Sequence, residues 1–445
     1  MASIQDNDWF YNILHPYVSW RFRHSYRHIE YVGRENIPAD GAIIYAPNHT
    51  NGLQDALAIV AMDKQPKVFV ARADIFRKPR QARLLRKIKI MPIARIRDGI
   101  ENVRKDEEVM EQAVDVLADG VPFCILPEGT HRSKHSLLPL TKGVFRIACM
   151  AVERLGDTKP VYIVPVGLEY GNYFRFRSSL LVNIGKPINV TQFIAGHPDL
   201  TLPQIYNELR DMLTEALQGQ ILWIPDDEMY DATLESCYLS DVMNPELLPA
   251  LPETQTVHTE SRLLQRIRND QEIVSRMLNL RRQSPEQAAA LCRRMEEIAT
   301  MRRTAGICVE SVQTKNPVGT IIGRILLLLL LFPYFVICGV VTLPVWLTVN
   351  RLLRRLKDPS FYTSFQCALT ILMLPVCFLT VAVLLFVLLP WYWALAVFVG
   401  LLPSNIVFHE YLRQYRLLCS DIRLQRFKEL RRKITDLKNN NTKRI

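Results

Sequence analysis

The 445-residue sequence contains no GxSxG segment, and none of its cysteines stands beside a histidine as a nucleophile would, so the common serine and cysteine hydrolase designs are excluded. HExxH and clustered Cys/His patterns are missing too, so no metal is expected. The nine cysteines (124, 149, 237, 292, 308, 338, 367, 377 and 419) form no CxxC pair, and three lie inside long apolar runs. That usage fits a reducing compartment rather than a disulfide framework. The first residues, MASIQDNDWF, have neither a basic n-region nor a continuous apolar h-region. A cleaved signal peptide is therefore not expected, and the first 320 residues are expected in the cytoplasm. No internal repeat or low-complexity tract occurs.

What the chain does have is unevenly spread. Hydrophobic residues make up 49%, but the longest apolar runs all lie beyond Arg324. Ile325 to Val349 is 25 residues without a charge, and Phe361 to Phe408 is likewise uncharged. Runs of this length are read as membrane segments, the second long enough for a hairpin turning near Pro390. The loop from Arg351 to Lys357 carries four basic residues, and His409 to Ile445 carries eleven Lys/Arg against four Asp/Glu, most of the formal net charge of +11. Basic segments beside apolar ones favour anionic lipids, at roughly 1 kcal/mol per Lys or Arg. No helix-turn-helix, finger or aromatic-rich signature accompanies the charge, so nucleic acid is not the expected partner. The positive-inside tendency asks for loop, tail and N-terminal domain on one side. Pro333 and Pro344 interrupt the first block, so a re-entrant or in-plane pair of short helices is expected there, with two crossings by 361–408.

From Ala42 to Asn189 short β-rich runs alternate with helix-period stretches: AIIYAP at 42, KVFVA at 67, IKIMPIAR at 88, FCILPEG at 123, VYIVPVG at 161 and LLVNIG at 180. Helical character is read at Ala58 to Met62 and Asn102 to Ala118. The alternation predicts an α/β domain with a mixed, largely parallel sheet flanked by helices, and a site at strand ends. Residues 1–30 are read as an N-terminal amphipathic or membrane-associated helix, 31–200 as the catalytic domain and 201–315 as a helical extension or linker. Within the extension, Arg262 to Arg303 is amphipathic, fit either to pack on the catalytic domain or to lie on a membrane. An apolar membrane segment at 320–350, a transmembrane hairpin at 361–408 and a basic cytoplasmic tail at 409–445 complete the order.

Two segments carry chemistry. In Asn48-His49-Thr50-Asn51-Gly52-Leu53-Gln54-Asp55, just after a strand, a carboxylate can hold the His49 imidazole in one tautomer while the other nitrogen takes a proton from an attacking hydroxyl. A structural His–Asp pair would look the same. In Leu126-Pro127-Glu128-Gly129-Thr130-His131-Arg132-Ser133 a strand again runs into a turn, where backbone N–H groups, a carboxylate and an arginine can grip a polyol phosphate. From Arg72 to Lys89 there are eight basic residues and one acid, a density suited to a phosphate-bearing or acidic partner, to a membrane surface, or to a solvated helix face.

These segments resemble the NHxxxxD and FPEGTRS blocks of the glycerolipid acyltransferase family, which includes glycerol-3-phosphate and 1-acylglycerol-3-phosphate acyltransferases. Val32-Gly33-Arg34-Glu35-Asn36-Ile37-Pro38 is similar to the lead-in, and Ile90-Met91-Pro92-Ile93-Ala94-Arg95 to the second block. Pro139-Leu140-Thr141-Lys142-Gly143, Ile163-Val164-Pro165-Val166 and Val182 to Ile188 follow in the family's order. The resemblance, over roughly Val32 to Asn189, implies the glycerolipid acyltransferase fold, with His49 and Asp55 catalytic and Asn48, Arg95, Glu128, Gly129, Thr130, Arg132 and Lys142 binding substrate. It implies acyl transfer from acyl-CoA or acyl carrier protein to a hydroxyl of glycerol 3-phosphate, dihydroxyacetone phosphate or lysophosphatidate, without a cofactor or acyl-enzyme. Partners would be the acyl donor, the phosphorylated glycerol acceptor and anionic membrane lipids, for an integral membrane protein with its catalytic domain on the cytoplasmic face. The chain departs from the pattern twice: five residues rather than four separate His49 from Asp55, which leaves Gln54 at the usual carboxylate position, and His131 stands where the family has its arginine. A non-catalytic lipid-binding or scaffold protein with a spoiled dyad is the alternative reading.

Overall fold

The structure is a computed structural model that describes residues 3–93, 101–241, 243, 247–248, 261–356 and 358–438. The chain divides into two compact units, Met1–Ile221 with Leu356–Cys367, and Leu222–Arg355 with Ala368–Ile445.

The first unit is α/β. Its elements are α1 (Trp9–Arg23), β1 (His28–Val32), β2 (Ala42–Pro47), α2 (Leu53–Val60), β3 (Val68–Arg72), α3 (Pro79–Lys87), β4 (Ile90–Ile93), α4 (Glu101–Ala118), β5 (Phe123–Cys124), α5 (Gly143–Leu155), β6 (Val161–Tyr170), β7 (Ser179–Ile184), β8 (Ile188–Asn189), α6 (Val190–Gly196) and α7 (Leu202–Gln220). The strands form one sheet in the order β1-β7-β6-β2-β5-β3-β4, with β8 also on β6. Pairing is parallel except where β6 meets β7 and β8, the mixed sheet expected from the alternation.

Every residue of β2 is buried, as a strand covered on both faces requires. Ile44, Phe123 and Ile163 from adjacent strands pack against Val114 and Leu117 of α4, Phe145 and Ile147 of α5, and Leu209 and Leu213 of α7. The β-branched and aromatic runs make the sheet, and the leucines of α7 recur at helical spacing on its buried side. In α1, capped by Asp8 accepting from Phe10 N, Tyr11 and Phe22 are buried while Trp9, Ile13 and Trp20 are exposed.

The second unit is helical: α8 (Tyr230–Leu239), α9 (Arg262–Gln283), α10 (Pro285–Thr304), α11 (Val309–Val312), α12 (Pro317–Leu353), α13 (Tyr362–Leu388, from Ala368 onward), α14 (Trp391–Leu401), α15 (Ser404–Arg426) and α16 (Lys428–Lys438). The apolar side of Arg262 to Arg303 finds its partners within this unit: Met277 and Leu280 pack with Leu239, Met295 and Ile298, and with Leu430, Ile434 and Leu437 of the basic tail. A buried guanidinium–carboxylate fork between Arg302 and Glu235, 2.6 Å on both arms, fixes α10 on α8.

The pair of short helices expected at 325–349 does not form. Pro333 and Pro344 lie inside the single 37-residue α12. A proline removes one backbone donor, but the neighbouring turns keep their bonds, which matters most where no water can replace them. Val341, Val345 and Val349 of α12 pack on Leu374 and Leu401, Phe335 stacks on Phe408 and Tyr411, and Arg324 pairs with Asp421 of α15. Two helical stretches, Pro317–Leu353 and Pro359–Leu388, are long and apolar enough to cross a membrane. The pair α14 and α15, bent by 43°, would be a third.

Removing one partner of a buried fork strands the other charge, so Glu235→Ala is expected to destabilise the second unit by about 3–5 kcal/mol. Thermal unfolding in detergent checks this; an unchanged melting temperature would show that Arg302 is well solvated without Glu235.

Candidate functional site

Strands β5, β2 and β6 lie side by side and parallel, registered Ile44 to Phe123 and Pro47 to Val166. Their C-terminal ends therefore face one way, and three consecutive loops deliver side chains to one place.

Asp55 is the hub. Its Oδ2 accepts from His49 Nδ1 at 2.8 Å, from Thr50 N at 2.9 Å and from Asn51 N at 2.7 Å, while Oδ1 accepts from the Tyr170 hydroxyl at 2.7 Å. The carboxylate is fully buried and the His49 side chain is 15% exposed. With an acceptor on Nδ1, the imidazole carries its proton there, and Nε2 is left with a lone pair that no described residue engages.

The extra residue of the loop is taken up at Gly52, whose φ of 58° and ψ of −122° suit only glycine. The helix α2 then starts at Leu53 with Asp55 in its first turn, below the amides of Thr50 and Asn51. Gln54 is turned elsewhere: it accepts from the Tyr26 hydroxyl at 3.2 Å and donates to Thr363 O at 3.0 Å.

Two of the residues expected to touch substrate have polar atoms bound to backbone. Asn48 is buried and exchanges two hydrogen bonds with the backbone of Leu168, donating to its carbonyl at 3.2 Å and accepting from its amide at 2.6 Å. Glu128 is buried too, with Oε1 accepting from His49 N at 2.5 Å and Oε2 from Leu138 N at 2.8 Å. Both fasten the loops together. Burial pushes the Glu128 carboxyl up to about 7, against the pull of those two amides and of the His49 ring.

Arg132 bonds through its own amide to His49 O at 3.3 Å and through its guanidinium to Ser136 Oγ at 2.7 Å, so it stands beside the His49 loop. Ser133 Oγ adds a bond to Thr50 O at 3.1 Å. Gly129, at φ 65°, and Thr130 are exposed at the turn. Lys142 is exposed just before α5, where Thr141 is tied to Pro127 O by its amide at 2.7 Å and its hydroxyl at 2.8 Å. Arg95 lies outside the described residues. His131 packs its ring 5.3 Å from that of His49 and edge-on to Phe361 at 4.6 Å. Its Nε2 is buried with no hydrogen-bond partner among the described residues, and burial, then the nearby His49, lowers its pKa. No group of three or more His, Cys, Asp or Glu side chains among the described residues is placed to hold a metal.

Residues 28–169 match the acyltransferase family model, a span that contains His49, Asp55, Glu128, Arg132 and Lys142 and stops one residue short of Tyr170. This segment of the chain is similar to the acyltransferase domain. Over 149 residues it is 29% identical to glycerol-3-phosphate O-acyltransferase 1 of Saccharomyces cerevisiae, covering 33% of this chain and 20% of that one. It is 28% identical over 115 residues to an uncharacterised acyltransferase of Schizosaccharomyces pombe, covering 25% and 17%. The chain thus spans no more than a fifth of the length of these relatives. Among solved structures it is similar to the 1-acyl-sn-glycerophosphate acyltransferase of Thermotoga maritima, at a TM-score of 0.35 and 18% identity over 47% of this chain and 78% of that one.

Several residues of this site are not marked by the motifs. Tyr170 holds Asp55, yet it ends β6 three residues past the segment VYIVPVG that reads as a strand. Beside it His135, Glu169 and Tyr173 form a second buried cluster, with Nδ1 of His135 2.7 Å from Glu169 and 3.2 Å from the Tyr173 hydroxyl. Thr363 and Ser364 reach the loop from more than 300 residues away, beyond any local signal.

The Glu128 carboxyl sets a pH dependence. Its folded pKa of about 7 lies above the ordinary carboxyl value, so its contribution to stability is present at low pH and is lost as pH rises through 7. Between pH 5 and pH 8 the native chain should therefore lose melting temperature relative to Glu128→Gln. A difference that stays constant over that range would show that burial does not govern this carboxyl.

Proposed function

We propose that the acyltransferase domain transfers a fatty acyl group from acyl-CoA or an acyl carrier protein to a hydroxyl of a phosphorylated glycerol. The observation that carries this reading is the 2.8 Å contact between His49 Nδ1 and the fully buried Asp55. It leaves Nε2 of a partly exposed imidazole as the base. His49 takes the proton of the acceptor hydroxyl as its oxygen bonds to the thioester carbonyl carbon. The tetrahedral adduct then collapses, the carbon–sulfur bond breaks, and the imidazolium returns the proton to the departing sulfur. Asp55 stays ionised and steadies the imidazolium, so no acyl-enzyme is required.

Arg132, beside the His49 loop, and Lys142 at the exposed turn are the cations proposed to meet the acceptor phosphate, together with Arg95. Glycerol 3-phosphate is the acceptor to try first, since the yeast relative bears that substrate in its name; dihydroxyacetone phosphate and lysophosphatidate follow. In the full chain, His49→Ala should lower acyl transfer from labelled palmitoyl-CoA by roughly 10²–10⁴-fold while leaving the melting temperature in place. Turnover within a few-fold of normal would remove His49 from the chemistry.

The proposed setting is a membrane with this domain on the cytoplasmic face, where a soluble thioester donor is found. Leu356–Cys367 belongs to the same compact unit as the catalytic loop, which supports a common side for both. The stretch 222–316 contains no long apolar run, so α12 would begin and end on that side without crossing. The remaining apolar stretch, 361–408, would cross twice and return the basic tail to the cytoplasm. A cysteine placed at Ser360 or Lys438, in a background free of native cysteines, should react from the cytoplasmic face of sealed vesicles. Reaction at Ser360 from the opposite face would make α12 an ordinary crossing.

A further inference from the structure

The loop between His49 and Asp55 does not hold its shape alone. Ser364 Oγ accepts from Leu53 N at 3.0 Å and donates to Asn51 O at 3.2 Å. Thr363 Oγ1 donates to Asn51 Oδ1 at 2.6 Å, and Thr363 O accepts from Gln54 Nε2 at 3.0 Å. Four bonds from two consecutive residues thus grip Asn51, Leu53 and Gln54, the stretch that accommodates the extra residue. The fit is close: a Cβ on Gly52 would lie 2.7 Å from Ser364 Oγ. Phe361, two residues earlier, meets the His131 ring edge-on, and that ring in turn lies against His49.

The consequence lies in which side chain of the loop faces the base. Gln54 occupies the spacing at which a carboxylate usually stands, and it is buried. Its amide is drawn to Thr363 O on one side and to the Tyr26 hydroxyl on the other, so it is turned from His49 and Asp55 takes the place beside the ring. Without the grip, the amides of Thr50 and Asn51 that complete the Asp55 hub would be free to move. The cleft lined by Tyr26, Asn51, Gln54, Arg175, Thr363 and Cys367 is about 20 Å³, room for a single water, so this contact is a fastening and not a second ligand site.

We infer that the first turn of α13 is a positioning element of the active-site loop: Thr363 and Ser364 hold residues 51–54 so that Asp55, and not Gln54, orients His49. The chain's departure in spacing and the start of the apolar α13 are then two halves of one device, and the Asn48–Asp55 segment takes its working shape only with α13 in place. This rests on the catalytic role given to His49.

The test uses the full chain in detergent and compares Thr363→Val, which removes only the hydroxyl, Ser364→Ala, their combination, and Thr363→Ser, which keeps the hydroxyl. Turnover is measured alongside His49→Ala, and amide hydrogen exchange is followed by mass spectrometry over residues 49–55. The double variant should exchange faster over 49–55 while the sheet stays protected. Its kcat should fall about tenfold or more with the acceptor KM moving less than threefold, since small misplacements of a catalytic group are costly. Thr363→Ser should restore most of the rate relative to Thr363→Val. If His49→Ala abolishes turnover while the double variant keeps kcat within twofold, the inference is overturned and the functional reading stands. If exchange over 49–55 is unchanged in the double variant, the grip itself is refuted. If exchange rises but neither the double variant nor His49→Ala alters turnover, the functional reading falls and the inference falls with it.

Discussion

The site depends on a single buried carboxylate and on the donors that converge on it. Asp55 accepts from an imidazole, two backbone amides and a phenol, and it is fully buried. A buried charge is tolerated only when its hydrogen-bonding capacity is met, and here each donor comes from a different constraint. The amides require the turn at Gly52, the phenol requires β6 to run on to Tyr170, and the imidazole requires the chain to leave β2 at Pro47. Parallel pairing of β2 with both β5 and β6 satisfies all three at one end of the sheet.

The loops are fastened in a similar way, by side chains whose polar atoms are spent on backbone. Asn48 ties the start of the catalytic loop to Leu168, and Glu128 ties His49 N to Leu138 N. Both belong to segments resembling known family blocks, and both hold the geometry of the site. The cations left nearer solvent are Lys142 and, beside the His49 loop, the guanidinium of Arg132, the two proposed to meet the acceptor phosphate.

Much of this was legible in the sequence. The strand runs at 42, 67, 123, 161 and 180 and the helical stretch ending at Ala118 all form, because β-branched runs between polar segments have little choice once both faces of the sheet are covered. The pairing of His49 with Asp55 across an extra residue was expected from the resemblance. Other features were out of reach for definite reasons. Tyr170 lies past the end of the readable strand, and Thr363 and Ser364 act over a separation that no periodicity reports. Prolines 333 and 344 suggested a break, but α12 runs on through both, since an apolar helix gains by preserving every bond that the prolines leave it. The amphipathic face of Arg262 to Arg303 revealed that it must be covered, not that α8 and the basic tail cover it.

The central claim is that Asp55 fixes the tautomer and direction of His49, and the exchange of one atom tests it. Asp55→Asn keeps the size and burial of the side chain but offers an amide where a carboxylate accepted four bonds. Measured in the intact chain with palmitoyl-CoA and glycerol 3-phosphate, and with an unchanged melting profile as control, kcat is predicted to fall by roughly 10²–10⁴-fold. An Asp55→Asn protein that turns over within a few-fold of the native rate would contradict the account, because the imidazole would then be working without the group that orients it.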